Sequence, residues 1–353
     1  MDLDDVRQMR AIDQSNMLGE IETLPDQLEK AWKIAEKYSL PTTKSPAGIT
    51  IAGMGGSAIG GDMLAAYAYD LCEVPISVVR GYSLPKWIEG KDQLVICSSH
   101  SGNTEETLSS FDEALQRGCQ VLALCTGGSL RARAEEHGRP VWIFEHHGQP
   151  RTAIPYSFGI LLGLLCRLGL APIAESELQE AFAVLREGRA QLGAQSELSA
   201  NPAKRLAGQL LERNVVVFAA GELEVVARRW KTQINELAKA WAVFEGLPES
   251  NHNTLAGLEY PESLLERTSA LFLRSGLDHP RNALRLTATQ QAFLMAGAGV
   301  DSVHARGESR LAQMWSLLQF GDYVSYYLAL DYGVDPTPVD ALTRLKHSLA
   351  AVK

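Results

Sequence analysis

Leu94 to Leu108, LVICSSHSGNTEETL, constrains the fold more than any other stretch of the chain. Leu94, Val95, Ile96 and Cys97 leave no polar side for water, which predicts a strand buried on both faces and hence a parallel sheet layered between helices. The strand gives way to Ser98, Ser99, His100, Ser101, Gly102 and Asn103, and a helix starts near Asn103 or Thr104. Thr104, followed by Glu105, Glu106 and Thr107, supplies a capping oxygen and negative charge where a helix has free N–H groups and the positive end of its dipole. Gly102 permits a backbone conformation barred to bulky residues, and the hydroxyls of Ser99, Ser101 and Thr104 can join main-chain N–H groups around one anion. These residue types fit either a phosphate cradle without a lysine or a Ser-rich turn that only caps a helix.

The rest of the chain repeats this alternation. Asp13 to Tyr38 carries apolar residues near a 3.6-residue period, a helix with Pro25 near a break. Ile49 to Ala52 is a short apolar run that stops at GMGGSAIGGDM and continues as a helix through Met63, Leu64 and Tyr67. Val74–Val79, Val121–Cys125 and Val141–Phe144 read as further strands, and such alternation predicts an α/β fold with a parallel sheet covered on both faces. Helices follow at Tyr156–Leu168 and Ser176–Leu192, and GAQSELSANP, Gly193 to Pro202, is the best boundary. Beyond it Val215–Phe218, Trp241–Phe244, Ala270–Leu273 and Ser302–His304 read as strands, with helices at Glu222–Lys239 and Pro280–Ala298. This is a faint internal repeat that lacks the glycine and serine loops, so one phosphate site is expected per pair of domains. Glu308 to Tyr332 is a long apolar helix whose aromatic content suits an interface or internal core. The expected division is an N-terminal helical segment (1–40), a phosphate-binding domain (41–192), a second domain (193–332) and a C-terminal tail helix (333–353).

The glycine loop after Ala52 fits two ligands. Gly53, Gly55 and Ala58 match the dinucleotide fingerprint G-x-G-x-x-A, but a ribose needs an acidic residue at the end of the next strand, where Arg80 and Gly81 stand. An NADP site could use Arg80. That model leaves the hydroxyl cluster at Ser99 to Thr104 without a role. Ligands of such sheets bind at the carboxyl ends of the strands, so Gly55, Gly56 and Ser57 can converge with Ser99, Ser101 and Thr104 on one small phosphorylated molecule.

Composition narrows the partners. A formal charge of −9 argues against a sequence-independent nucleic-acid binder, which needs a basic face to displace counterions. The five cysteines are odd in number and lack a C-x-x-C pair, which points to reduced core residues in a reducing, cytoplasmic setting. The opening MDLDDVRQMRAIDQSNM is acidic and polar, unlike an ordinary signal peptide, and no run approaches the ~20 apolar residues of a membrane span.

GMGGSAIGGD followed by SSHSGNTEETL resembles the first half of a sugar isomerase (SIS) domain, in which an S-x-S-G-x-T segment, here Ser99, Ser101, Gly102 and Thr104, holds the phosphate of a phosphosugar. With Pro150-Arg151-Thr152-Ala153, Lys231 to Glu236 (KTQINE), Pro248 to Asn253 (PESNHN) and the terminal GVDPTPVDALTRLK, nearly the whole chain is similar to the bifunctional phosphoglucose/phosphomannose isomerase family. Leu237 departs from the pattern, standing where a polar residue is expected after Asn-Glu. The resemblance implies two SIS (flavodoxin-like) three-layer αβα domains with parallel sheets, plus an N-terminal helix and a C-terminal helical tail. It also implies a metal-independent aldose–ketose isomerase that interconverts glucose 6-phosphate and mannose 6-phosphate with fructose 6-phosphate through a cis-enediolate, in glycolysis and gluconeogenesis. No cofactor is implied, and the implied partner is a second copy of the chain that completes the active site across a homodimer interface.

Such chemistry needs a base near the sugar carbons, a cation for the developing oxyanion and an acid–base pair to open the ring. Glu236 is the candidate base, closing a helix pattern that ends against a sheet; by residue type alone a surface Glu in an i,i+4 pair fits as well. Arg151 is the candidate oxyanion stabiliser, on a loop at the ligand-binding end of the sheet, though a surface salt-bridge arginine has the same look. His252 lies in the polar loop PESNHNTLAG with Asn251 and Asn253 beside it to orient the ring. The resemblance makes Lys346 its ring-opening partner; on its own it reads as a solvated helix lysine. Thr337, between Pro336 and Pro338, is expected to shape the pocket so that the enediolate accepts its proton from either face. No metal site is expected, since H-x-H and H-E-x-x-H spacings are absent and His146-His147 are adjacent. Two other classes stay open: another SIS-type isomerase acting on an amino sugar, and a non-catalytic sugar-phosphate sensor.

Overall fold

The computed structural model describes residues 1–42 and 45–351. The chain divides into two compact units, one of Thr23–Leu185 with Gly307–Ala312, the other of Met1–Glu22, Arg186–Arg306 and Gln313–Lys353.

The first unit is built on five parallel strands: β1 (Gly48–Ala52), β2 (Ile76–Val79), β3 (Gln93–Ser99), β4 (Gln120–Cys125) and β5 (Val141–Ile143), in the order β2-β1-β3-β4-β5. Every residue of β1 is buried, as a strand covered on both faces must be, and its Ile49 lies opposite Ile76 on one side and Leu94 on the other. β3 extends past the apolar run through Ser98 and Ser99, so two of the hydroxyl residues expected in the loop belong to the strand. The helix expected over 13–38 is two helices, Met17–Glu22 and Leu24–Ala35, broken at Thr23; Pro25 sits in the first turn of the second, where its missing N–H leaves no bond unmade. Leu24–Ala35 packs on Ile154–Arg167 through small residues. A Cβ on Gly159 would lie 2.9 Å from the Ala31 methyl, and one on Gly163 would overlap Ala35.

The second unit repeats the plan with four parallel strands: β6 (Asn214–Ala220), β7 (Ala242–Leu247), β8 (Thr268–Arg274) and β9 (Gly299–His304). Their order, β7-β6-β8-β9, is the order of the first four strands of the other sheet, so the faint repeat in sequence is a repeat of topology. Trp241, expected to open a strand, is exposed just before β7. Leu237 is fully buried, so the departure at that position belongs to the core. In the long helix Arg310–Asp331, Met314, Trp315, Leu318, Tyr323 and Tyr327 are fully buried, which makes it internal core rather than an open interface.

Within this unit the Glu224–Leu237 helix is clamped to that long helix. Trp230 Nε1 donates to the carbonyl of Leu317 at 2.9 Å, and Gly321 leaves room for the indole, which a Cβ there would overlap. Beside it, Arg229 and Asp322, 2% and 3% exposed, form a two-pronged ion pair with Nε–Oδ1 3.1 Å and Nη2–Oδ2 2.9 Å. All five cysteines are free, and no helix among the described residues is long and apolar enough to cross a membrane.

Removing one member of a buried pair deprives the other charge of its counterion. Asp322→Ala is therefore expected to lower unfolding free energy by about 3–5 kcal/mol in a urea titration, a loss below about 1 kcal/mol being inconsistent with a pair that matters.

Candidate functional site

The carboxyl ends of β1 and β3 place the two loops of the first unit side by side. After β1, Gly55 takes a left-handed conformation (φ 52°) and begins the Gly55–Tyr67 helix, with Gly56 and Ser57 in its first turn. A Cβ on Gly56 would lie 2.8 Å from the carbonyl oxygen of Pro150 and 3.6 Å from the Cα of Arg151, so the bare glycine lets the Arg151 turn rest on the helix start. Arg151, in the short 3₁₀ turn Pro150–Thr152, is 6% exposed, which a surface salt-bridge arginine is not.

After β3 the hydroxyls organise the turn. Ser99 Oγ and Thr104 Oγ1 lie 2.9 Å apart, Ser99 Oγ accepts from the N–H of Gly102 at 3.1 Å, and exposed Ser101 accepts from the N–H of Asn103 at 3.2 Å. Thr104 is the N-cap of the Glu105–Gln116 helix, yet its side chain makes no capping bond because the hydroxyl is engaged with Ser99. The expected cap is thus a brace across the turn.

The neighbouring loop, Thr126-Gly127-Gly128, holds this turn from the other side. Thr126 donates to the carbonyl of His100 from its N–H at 3.1 Å and from its hydroxyl at 2.7 Å; Leu130 N–H donates to Gly102 O at 2.8 Å, and Ser129 N–H to Asn103 Oδ1 at 2.9 Å. Gly102 (φ 68°) and Gly128 (φ 71°) meet the opposite backbone so closely that a Cβ on either would overlap a carbonyl oxygen, of Gly127 and Ser101 respectively. Sequence reasoning passed over Thr126 to Gly128; the signal was a Gly-Gly pair directly after a buried strand, the same signal that marked the first loop.

His100, at the centre of the turn, is half-buried, with Nε2 2.9 Å from His146 Nδ1. Burial, and then the neighbouring imidazole, push its pKa down to about 4. Among the described residues no group of three or more His, Cys, Asp or Glu side chains is placed to hold a metal ion.

In the second unit Glu236 is the penultimate residue of the Glu224–Leu237 helix and is half-buried. Lys239, in a left-handed conformation (φ 55°), closes that helix by donating from Nζ to the carbonyls of Glu236 at 2.9 Å and Leu237 at 3.1 Å. The same ammonium reaches the carbonyl of Asp335 at 2.9 Å, which ties the helix end to the segment of Thr337, itself buried, with its N–H on Asp335 Oδ1. His252 is exposed at the end of the 3₁₀ turn Glu249–His252, after β7. Its neighbours do not orient it as expected. The Asn251 amide donates to Thr289 Oγ1 at 2.7 Å and accepts from Arg285 at 3.2 Å, and Asn253 accepts from the Thr254 hydroxyl at 3.0 Å. Lys346 is exposed on the helix Asp340–Ala350.

The chain is 39% identical over 339 residues to a bifunctional phosphoglucose/phosphomannose isomerase of Caldicellulosiruptor bescii, covering 96% of this chain and 100% of that one. The chain belongs to the bifunctional phosphoglucose/phosphomannose isomerase family. A family member from Aquifex aeolicus is 36% identical, over 86% of this chain and 90% of its own, and the model of the bacterial phospho-glucose isomerase C-terminal SIS domain matches residues 199–349. Among solved structures, a glucose-6-phosphate isomerase like protein from Thermus thermophilus aligns with TM-score 0.64 at 20% identity, over 97% of this chain and 99% of that one. The tagatose-6-phosphate ketose/aldose isomerase from Escherichia coli aligns with TM-score 0.63 at 17% identity, over 94% and 93%. Both share the fold of this chain.

Two measurements test this geometry. Gly102→Ala should cost at least about 2 kcal/mol of stability, whereas Gly118→Ala, with a similar φ of 70° but nothing within 4 Å of the added Cβ, should cost only about 1 kcal/mol, read by thermal unfolding. Because the His100 pKa is depressed, the unfolded chain takes up a proton below about pH 6.5 that the folded chain refuses. Stability should therefore fall as pH drops from about 6.5 toward 4, and His100→Gln should flatten that part of the profile.

Proposed function

We propose that the chain is a metal-independent aldose–ketose isomerase that interconverts glucose 6-phosphate, and also mannose 6-phosphate, with fructose 6-phosphate. The observation that carries this reading is the hydroxyl turn at Ser99 to Thr104 beside the glycine helix start, with buried Arg151 resting on Gly56. Hydroxyls and main-chain N–H groups at a helix N-terminus suit a phosphate dianion. Ser99, Ser101 and Thr104, with Gly55, Gly56 and Ser57, hold that group.

Glu236 acts as the base that moves the proton between C2 and C1, and Arg151 stabilises the oxyanion of the cis-enediolate. His252 and Lys346 open the sugar ring, with His252 supplied across a homodimer interface. Thr337 shapes the pocket so that the enediolate is protonated from either face, which admits mannose as well as glucose. The setting is cytoplasmic, in glycolysis and gluconeogenesis, and no cofactor takes part.

A coupled assay with fructose, mannose and glucosamine 6-phosphates, run with and without EDTA, tests the substrate class. Turnover of the first two, unchanged by chelator, is expected; turnover of the amino sugar alone would move the chain to a different SIS activity. Glu236→Gln should lower kcat by about 10²–10⁴ and stop exchange of the C2 proton with solvent while fructose 6-phosphate still binds. Surviving exchange would remove Glu236 from the role of base. Ser101→Ala combined with Thr104→Ala should raise KM about tenfold or more with kcat little changed, since hydrogen bonds to a charged group contribute about 1.5–3 kcal/mol each.

A further inference from the structure

The first unit carries a pair of histidines that the isomerase chemistry leaves unused. His100 stands between Ser99 and Ser101, and its Nε2 lies 2.9 Å from Nδ1 of His146, beyond the end of β5. An N–H···N bond between neutral imidazoles needs a donor nitrogen facing an acceptor nitrogen, so each ring fixes the tautomer and the orientation of the other. Aromatic contacts continue from the pair. His100 is edge-on to Phe144 (centroids 6.0 Å apart), His146 is edge-on to Tyr156 (5.8 Å), and Phe144 stacks on Tyr156 (5.0 Å). Tyr156 lies in the first turn of the Ile154–Arg167 helix, into which the Pro150–Thr152 turn bearing Arg151 leads directly. A chain of directional contacts therefore runs from the middle of the hydroxyl turn to the base of the Arg151 turn.

We propose that His100 and His146 form a positioning pair that sets the distance between the Ser99–Thr104 turn and Arg151. This rests on the reading of that turn as the phosphate holder and of Arg151 as the oxyanion cation. The turn owes its own shape to Thr126, Gly127 and Gly128, so it keeps its grip on an anion without the pair. What the pair adds is where the held sugar's reacting end falls relative to the guanidinium. Displacement by about 1 Å is enough to cost about 10²-fold in rate.

The test uses the full-length enzyme, fructose 6-phosphate as substrate and inorganic phosphate as competitive inhibitor. His146→Leu, which keeps bulk and removes the nitrogen, should lower kcat about 10- to 100-fold while the inhibition constant of phosphate changes less than about threefold. His100→Phe, which keeps a ring against Phe144, should do the same. His146→Asn, whose amide reaches the place of Nδ1, should recover most of kcat. Unchanged kcat in both the Leu and the Phe variant, or an Asn variant no better than Leu, would overturn the pair as a positioning device. A wild-type enzyme that phosphate does not inhibit, or inhibition that survives Ser101→Ala with Thr104→Ala, would instead overturn the phosphate-holding reading itself.

Discussion

The turn after β3 depends on two backbones lying closer together than any side chain allows. Gly102 and Gly128, both in the left-handed region, bring the Ser99–Thr104 turn and the Thr126–Gly128 loop into direct main-chain contact, and Thr126, Ser129 and Leu130 bond across to the first turn. Rigidity in a turn of this kind has a general use: an anion held by many weak donors needs each of them already pointing at it, since ordering them at the moment of binding would cost conformational entropy. Neighbouring strands of a parallel sheet end side by side, so the loops after β3 and β4 are adjacent wherever the sheet forms. Glycine is what turns that adjacency into contact.

The two sheets share a strand order and a left-handed glycine beyond the strand that comes first in sequence, Gly55 after β1 and Gly221 after β6. The residues after that glycine differ. In the first unit Gly56 and Ser57 lead into the helix, whereas in the second Glu222 and half-buried Glu224 do, and burial raises the Glu224 pKa despite nearby Arg228. Asp278, also raised mainly by burial, senses the negative charge of Glu222. Arg228 beside Glu224, and Arg274 and His304 beside Asp278, partly offset those carboxylates. The repeat thus keeps its scaffold and changes the residues at its sheet end.

Glu236 takes its place from a different kind of constraint. Its helix is fixed along its length by the Arg229–Asp322 pair and by Trp230 lying over Gly321, and fixed at its end by Lys239, which reaches to the Thr337 segment. A buried two-pronged ion pair offers directional preference that apolar packing does not, since rotation of the helix about its axis would break it.

The apolar runs at Ile49–Ala52, Leu94–Cys97 and Val215–Phe218 by themselves determined the parallel sheets, because four apolar residues in a row have no face to show to water. The glycine and hydroxyl residues after the first two runs marked the loops at the carboxyl ends of those strands for the same local reason: backbone freedom and short-range hydrogen bonds are properties of the residues that carry them. Tertiary structure alone decided that Asn251 bonds to Thr289 rather than orienting His252, and that His100 meets His146. Those choices depend on which side chain another strand or helix brings within 3 Å, and sequence spacing carries no record of partners that come from elsewhere in the chain.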